Sequence, residues 1–214
     1  MSAAAPTFTA SGFEGGAFEF DGGTNNFITA PVNINPTVMP QVTFGVWANA
    51  DVVDSIIRGI ISHDNVDFDR TINVDIRDGS GLRWSAFRGN GVVGGPNVVA
   101  GEWVFLALRH NQTTGDWAFD VNDTRLILSG VTFGTGESVL TIGRNPNFDS
   151  PFDGRIDNVF VFNEYLTDSQ IDTIRTGGSE AILSFASSNA PEPATFGLLL
   201  MGAVPFVVKR IRNR

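Results

Sequence analysis

Aspartate and asparagine gather in two short stretches of the chain. One is His63-Asp64-Asn65-Val66-Asp67-Phe68-Asp69; the other carries Asn145, Asn147, Asp149 and Asp153. Carboxylates and side-chain amides bind sugar hydroxyls, and they are also hard oxygen ligands for calcium. Asp64 and Asp149 are therefore candidate ligand contacts at the rim of a site. The competing reading of both stretches is a solvated loop, and the first lacks the spacing and closing Glu of a helix-loop-helix calcium loop. An aromatic face supplies the other half of sugar binding, because it suits the C–H side of a pyranose. Trp103 and Trp117 share strand faces with apolar residues and read as core, whereas Trp47 lies opposite Phe44 and Val46 and is a candidate stacking surface. Asp75, Arg77, Arg83 and Ser85 mark a polar strand face, a candidate binding lining or a plain solvated surface.

Catalysis finds less support. Glycoside hydrolysis needs two carboxylates ~5–9 Å apart, one of them kept protonated by burial. Glu19-Phe-Asp21 starts like the Glu-x-Asp-x-x-Glu strand of β-glucanases, but Thr24 stands where the second Glu belongs. Gly-x-Ser-x-Gly and the phosphate-binding Gly-rich loop are both absent. The chain has no cysteine, which excludes disulfides, thiolate metal sites and thiol catalysis, and its two histidines are too few for most His-based metal centres.

Net charge is −9, with 23 acids against 14 bases. Four of the bases, Lys209, Arg210, Arg212 and Arg214, lie in the last six residues. The rest of the chain is thus strongly acidic and has no electrostatic footprint for nucleic acid. Apolar residues make up 42% and charged residues 17%, too apolar for disorder and too lightly charged for a long-helix protein.

The elements that must position the candidate residues are strands. Phe44, Val46 and Ala48 share one face of a period-two segment; so do Ile72, Val74 and Ile76, and again Trp117, Phe119 and Val121. Residues 103–108 and 156–162 are apolar on both faces and read as central strands. Turn chemistry recurs at Asp21-Gly-Gly, Asp78-Gly-Ser-Gly, Gly89-Asn-Gly, Asn111-Gln-Thr-Thr-Gly and Asn145-Pro-Asn. Many short strands between such turns predict an all-β sandwich. One short helix is expected over 168–175: Thr167-Asp-Ser-Gln170 is a capping box, Ile171 and Ile174 follow at helical spacing, and Gly177 suits the C-terminal cap. The expected organisation is an unstructured stretch over 1–11, a sandwich over 12–180, a linker over 181–190 and a distinct tail over 191–214. Residues 1–16 show no basic n-region and no apolar run, so no signal peptide is seen there.

The body resembles the laminin-G-like, concanavalin A-like jelly rolls. The residues that carry the resemblance are Phe20-Asp-Gly-Gly, Phe44-Gly-Val-Trp47, Gly101-Glu-Trp-Val-Phe-Leu-Ala107, Gly154-Arg-Ile-Asp157 and the helix that starts at Leu166. It implies two antiparallel sheets, a carbohydrate-binding or adhesion role, and one structural calcium held by Asp21 and Asp157. Without the metal, Asp21 reads as a turn cap and Asp157 as a hydrogen-bonded strand residue.

The tail resembles the PEP-CTERM sorting signal. Pro191-Glu192-Pro193 is followed by an uncharged apolar run over 194–208 and the basic end at Lys209, Arg210, Arg212 and Arg214. As a helix the run spans ~22 Å, short of a ~30 Å hydrocarbon core, so flanking Arg side chains would have to snorkel. The resemblance implies an exosortase-type processing enzyme as partner and transient anchoring in the inner membrane. Delivery to the cell surface or matrix would follow. The expected function is a non-catalytic, exported, polysaccharide-binding protein. The alternatives are a passive adhesion or matrix component and a glycoside hydrolase or lyase.

Overall fold

A computed structural model describes residues 5–79 and 81–189, with no statement on the side chains of 188 and 189. The strands are β1 (Thr7–Thr9), β2 (Ala17–Asp21), β3 (Ile28–Ala30), β4 (Gln41–Ala50), β5 (Arg58–Ser62), β6 (Thr71–Asp75) and β7 (Arg83–Phe87), then β8 (Val92–Asn97), β9 (Trp103–Asn111), β10 (Asp116–Val121), β11 (Thr124–Leu128), β12 (Leu140–Ile142), β13 (Ser150–Pro151) and β14 (Asp153–Phe162). They form two sheets among the described residues. The first runs β1-β2-β14-β4-β9-β10-β11 and the second β3-β12-β5-β6-β7-β8, with β13 added in parallel to β5. Every other pairing is antiparallel, so the fold is the expected jelly-roll-like sandwich.

Strand alternation sorts the side chains of the first sheet. Phe44, Val46 and Ala48 of β4, and Val104, Leu106 and Leu108 of β9, face the second sheet and meet Ile72, Val74, Trp84 and Ala86 there. Trp47, Phe105 and Ala107 point the other way, into a second apolar cluster with Phe160, Leu166, Ile171 and Ile174. β14 serves both faces because it carries a bulge between Asp157 and Phe160, where Asn158 takes a φ of 48°. An extra residue flips the parity, so Ile156 faces the inner core while Phe160 faces the outer cluster.

The outer cluster is roofed by helix α1 (Asp168–Asn189). Its capping box forms as read: Gln170 N–H donates to Thr167 Oγ1 at 3.3 Å, and Thr167 N–H donates to Gln170 Oε1 at 2.8 Å. Its start is also pinned by charge. Buried Arg109 bonds Asp120 at 3.1 Å and Asp168 at 2.7 Å.

A first helical segment ends close to the expected Arg175, but the break falls at Gly178 and not at Gly177. Gly178, one residue on, takes φ 55°, ψ −140° and kinks the helix, which then resumes to Asn189. Glu14 makes the resumption possible: its Oε2 accepts Ser179 N–H at 2.8 Å and Asn158 Nδ2–H at 2.9 Å, and the Ser179 bond holds its carboxyl below the usual range. Ala181, Ile182 and Phe185 then pack on the outer cluster. The stretch expected as linker is thus helical through Asn189. The stretch expected as unstructured over 1–11 contains β1, paired with β2. The sorting motif and tail over 191–214 lie outside the described residues, and no described helix is long and apolar enough to cross a membrane.

Between the sheets, near one end, lies a buried cation. Arg70 is fully buried, and no carboxylate lies within ion-pair distance among the described residues. It donates instead to the carbonyls of Ile34 at 2.5 Å and Met39 at 2.7 Å, and to His110 Nδ1 at 2.9 Å, while His63 Nε2 accepts the Arg70 backbone N–H at 3.1 Å. Burial, with the Arg70 charge adding, pushes both histidines down to about 4. Each stays neutral in the folded state and titrates near ~6.5 once unfolded. Stability is therefore full above pH ~6.5 and falls as pH drops toward 4, by up to ~1.4 kcal/mol per pH unit for each histidine. Urea midpoints measured from pH 7.5 down to 5.5 should fall steadily. The His63→Gln, His110→Gln double variant should flatten that slope, and an equal slope in both proteins would refute the account.

Candidate functional site

The outward face of β5, β6 and β7 is polar yet buried. Ser62, Thr71, Asn73, Asp75 and Ser85 are all enclosed, and buried polar groups demand partners. Ser62 Oγ pairs with Thr71 Oγ1 at 2.7 Å, and Asn73 Nδ2 donates to Asp75 Oδ2 at 2.7 Å. What encloses them is the two Asp/Asn-rich loops. Residues 144–149 lie directly on β5, where a Cβ on Gly59 would stand 2.1 Å from Asn145 N, so only glycine admits the loop. Residues 64–69 fold over from the end of β5, with Asp64 N–H donating to Ser62 Oγ at 3.0 Å.

Asn145 joins the loops. Its Nδ2 donates to Asp64 Oδ2 at 2.9 Å and to Asp149 Oδ2 at 3.0 Å, so one amide satisfies two carboxylates. Asn147 Nδ2 adds a bond to the Asp64 carbonyl at 2.8 Å. Arg77 closes the cluster. Its Nε donates to both oxygens of Asp75, at 3.0 and 2.8 Å, and its Nη2 reaches Asp75 at 2.5 Å and Asp149 Oδ1 at 3.5 Å. The guanidinium lies over Phe68 at 5.4 Å and Phe87 at 5.3 Å. Burial pushes the Asp149 carboxyl up, with Arg77 opposing. Burial alone would lower Arg77, but its bonds to Asp75 and the Asp149 charge outweigh that and raise it.

Above this floor opens a cavity of about 250 Å³ lined by Asp64, Val66, Phe68, Arg77, Phe87, Asn145 and Phe148. Val66 and Phe148 stand at its lip, 63% and 61% exposed. The arrangement offers a charged donor and aromatic surface over a floor of buried, bonded carboxylate and amide groups. A larger groove of about 340 Å³ lies at the sheet edge among Phe8, Phe18, Phe20, Ile28, Ile142, Ile156 and Val159. Its walls are apolar, and Asp157 at its rim is already bonded to Glu14 N–H at 3.0 Å. Of these two, the smaller cavity is the chemically equipped one.

Four of the candidate contacts, Asp64, Asp75, Arg77 and Asp149, are thus brought together. Arg83 is not: it turns to Asp78 at 3.5 Å and the Gly95 carbonyl at 3.0 Å. Trp47 lies on the opposite side of the molecule, 2% exposed, stacked on Phe13 at 4.9 Å and edge-on to Phe105 at 4.8 Å. Alternation did set it apart from Phe44 and Val46, but what it faces is α1.

The calcium pair does not assemble. Asp21 sits opposite Asp153, and Asp157 is four residues further along β14, roughly 13 Å at ~3.3 Å per residue. Asp21 Oδ1 caps Gly23 N–H at 2.8 Å, and Asp157 Oδ1 accepts Asn158 N–H at 2.8 Å. Among the described residues no group of three or more His, Asp or Glu side chains is set to hold a metal.

Phe68, Phe87 and Phe148 went unread as site residues, and Asn145 was read only as a member of the second Asp/Asn-rich stretch. A signal existed for two of them, since Phe68 and Phe148 are lone aromatics inside the Asp/Asn-rich stretches.

The sequence profile of the concanavalin A-like lectin/glucanases superfamily matches residues 21–172, and the chain belongs to that superfamily. No curated protein matches it. Among solved structures, it is similar to domain 4 of AbnA, a GH43 extracellular arabinanase from Geobacillus stearothermophilus, in complex with arabinotriose. Identity there is 18%, coverage 80% of this chain and 82% of that one, and the TM-score 0.59. It is also similar to a putative carbohydrate binding protein from Bacteroides ovatus, at 18% identity over 73% of this chain and 45% of that one, TM-score 0.54. A third is the botulinum neurotoxin serotype G binding domain, at 11% identity over 82% and 45%, TM-score 0.60. At these identities the likeness is one of fold.

The shared amide predicts a measurable cost. Asn145→Ala leaves two carboxylates without their donor, which is worth about 1–3 kcal/mol. Tm should fall by about 3–10 °C. An unchanged Tm would mean that the two loops do not lean on this side chain.

Proposed function

We propose that the chain is a non-catalytic carbohydrate-binding module that works outside the cell. The observation that carries the reading is the cavity over β5–β7, where the partly exposed Arg77 can meet sugar hydroxyls and Phe148 a ring face, above the buried Asp64 and Asn145. Kinship supports it. The AbnA domain is described in complex with arabinotriose, and the Bacteroides ovatus protein as carbohydrate binding.

One observation speaks for a hydrolase. Asp64 and Asp149 each lie within 3.0 Å of the same nitrogen, so their oxygens are within about 6 Å of each other, and burial raises Asp149. The nitrogen between them is the obstacle: the Asn145 amide fills the place a glycosidic oxygen would need. Binding without turnover is the better reading.

The proposal extends to delivery. Pro191, Glu192 and Pro193 would be read by an exosortase-type enzyme while the apolar run and the basic end, Lys209 to Arg214, hold the chain in the inner membrane. Release to the surface or matrix, where polysaccharide is at hand, would follow. Only the sequence resemblance supports this part.

Two tests follow. Wild-type protein should be retained on at least one neutral polysaccharide in affinity electrophoresis. Phe148→Ala should weaken that retention about tenfold with an unchanged circular dichroism spectrum, because the side chain is exposed. Retention on no polysaccharide would end the binding reading. In a host that carries an exosortase, Glu192→Ala should leave the protein in the membrane fraction, and normal release of that variant would remove the sorting reading.

A further inference from the structure

The cavity has a charge as well as a shape. Asp64 lines it, and Asp75 and Asp149 stand beside it, against the single positive charge of Arg77 set among them. That charge is already committed. The Nε and Nη2 positions, the edge that grips a carboxylate or sulfate with two bonds, are taken by Asp75, and Nη2 is shared with Asp149. Asp67 and Asp69 on the same loop add to the negative side.

The neighbouring cations do not redress the balance. Arg144 turns away to the carbonyls of Thr24 and Pro146 and lies over Phe27. Arg58 is paired with Asp54 at 2.6 Å. Arg70 is sealed between the sheets among backbone carbonyls. An acidic sugar would meet surplus negative charge and a guanidinium whose Nε–Nη2 edge is already taken, across distances shorter than the ~8 Å screening length of physiological salt.

We infer that this cavity sorts glycans by charge: it accepts neutral and amino sugars and turns away uronic-acid and sulfated ones. The inference rests on the carbohydrate-binding reading above and narrows its ligand class. A like charge about 6 Å away in a wet site costs at least roughly threefold in affinity, and two of them about tenfold. An ammonium on the sugar gains by a similar factor.

The test uses the full chain and three backbones, arabinan, dextran and a mixed-linkage β-glucan, each unmodified, carboxymethylated and aminoethylated. For any backbone retained, affinity electrophoresis should rank the aminoethyl form first and the carboxymethyl form about tenfold below the unmodified one. Asp64→Asn should narrow that gap to about threefold. Asp67→Asn, at an exposed position that does not threaten folding, should narrow it measurably. Phe148→Ala should weaken all three forms alike. Carboxymethyl forms held as tightly as unmodified ones would overturn the inference and leave the binding reading standing. Aminoethyl binding untouched by Phe148→Ala would overturn it too, since the gain would then belong to the acidic surface as a whole. Retention of no unmodified backbone would overturn the binding reading and this inference with it.

Discussion

The middle strands of the first sheet are buried on both faces, and the rest of the molecule follows from that constraint. A β-strand sends alternate side chains in opposite directions, so β4 and β9 need an apolar partner on each side. The second sheet serves Phe44, Val46, Leu106 and Leu108; α1 serves Trp47, Phe105 and Ala107. β14 reaches both partners only through its bulge. The helix cannot be an ornament on such a fold, because without it a Trp and several Phe side chains would face water.

The second sheet solves the opposite problem. Its outer face carries Ser, Thr, Asn and Asp, which cannot be roofed by a greasy helix. They are covered instead by loops of matching chemistry, and the result is a polar floor held by short-range bonds such as Asn73 to Asp75 and Asn145 to two carboxylates. A cavity built on such a floor keeps its shape before a ligand arrives, which lowers the ordering cost of binding. The two sheets thus divide the labour: one holds the fold, the other presents chemistry.

How much of this could be read from the residues depends on range. The strands were legible because alternation is local: Phe44 with Val46, Ile72 with Val74, Trp117 with Phe119. The capping box at Thr167 was legible for the same reason. The two-sided burial of residues 103–108 was legible too, but the identity of the second partner was not, so Trp47 read as a ligand surface. The extent of α1 depended on Glu14, a residue more than 150 positions away that supplies the acceptor for Ser179. Asp64, Asp75, Arg77 and Asp149 were each chosen for chemical type, but nothing local told that Asn145 would tie them together. Asp21 and Asp157 show the converse: the motifs name both, and strand register sets them apart along β14.

The position of β14 has a mechanical consequence. It is the last strand among the described residues, yet it lies inside the sheet, with β2 on one side and β4 on the other. Tension applied from beyond α1 must first strip the helix from its aromatic bed. It then pulls β14 along its own axis, against hydrogen bonds that run crosswise to the load on both flanks. A ribbon held in that way resists by shear, many bonds at once, instead of unzipping one at a time as an edge strand would.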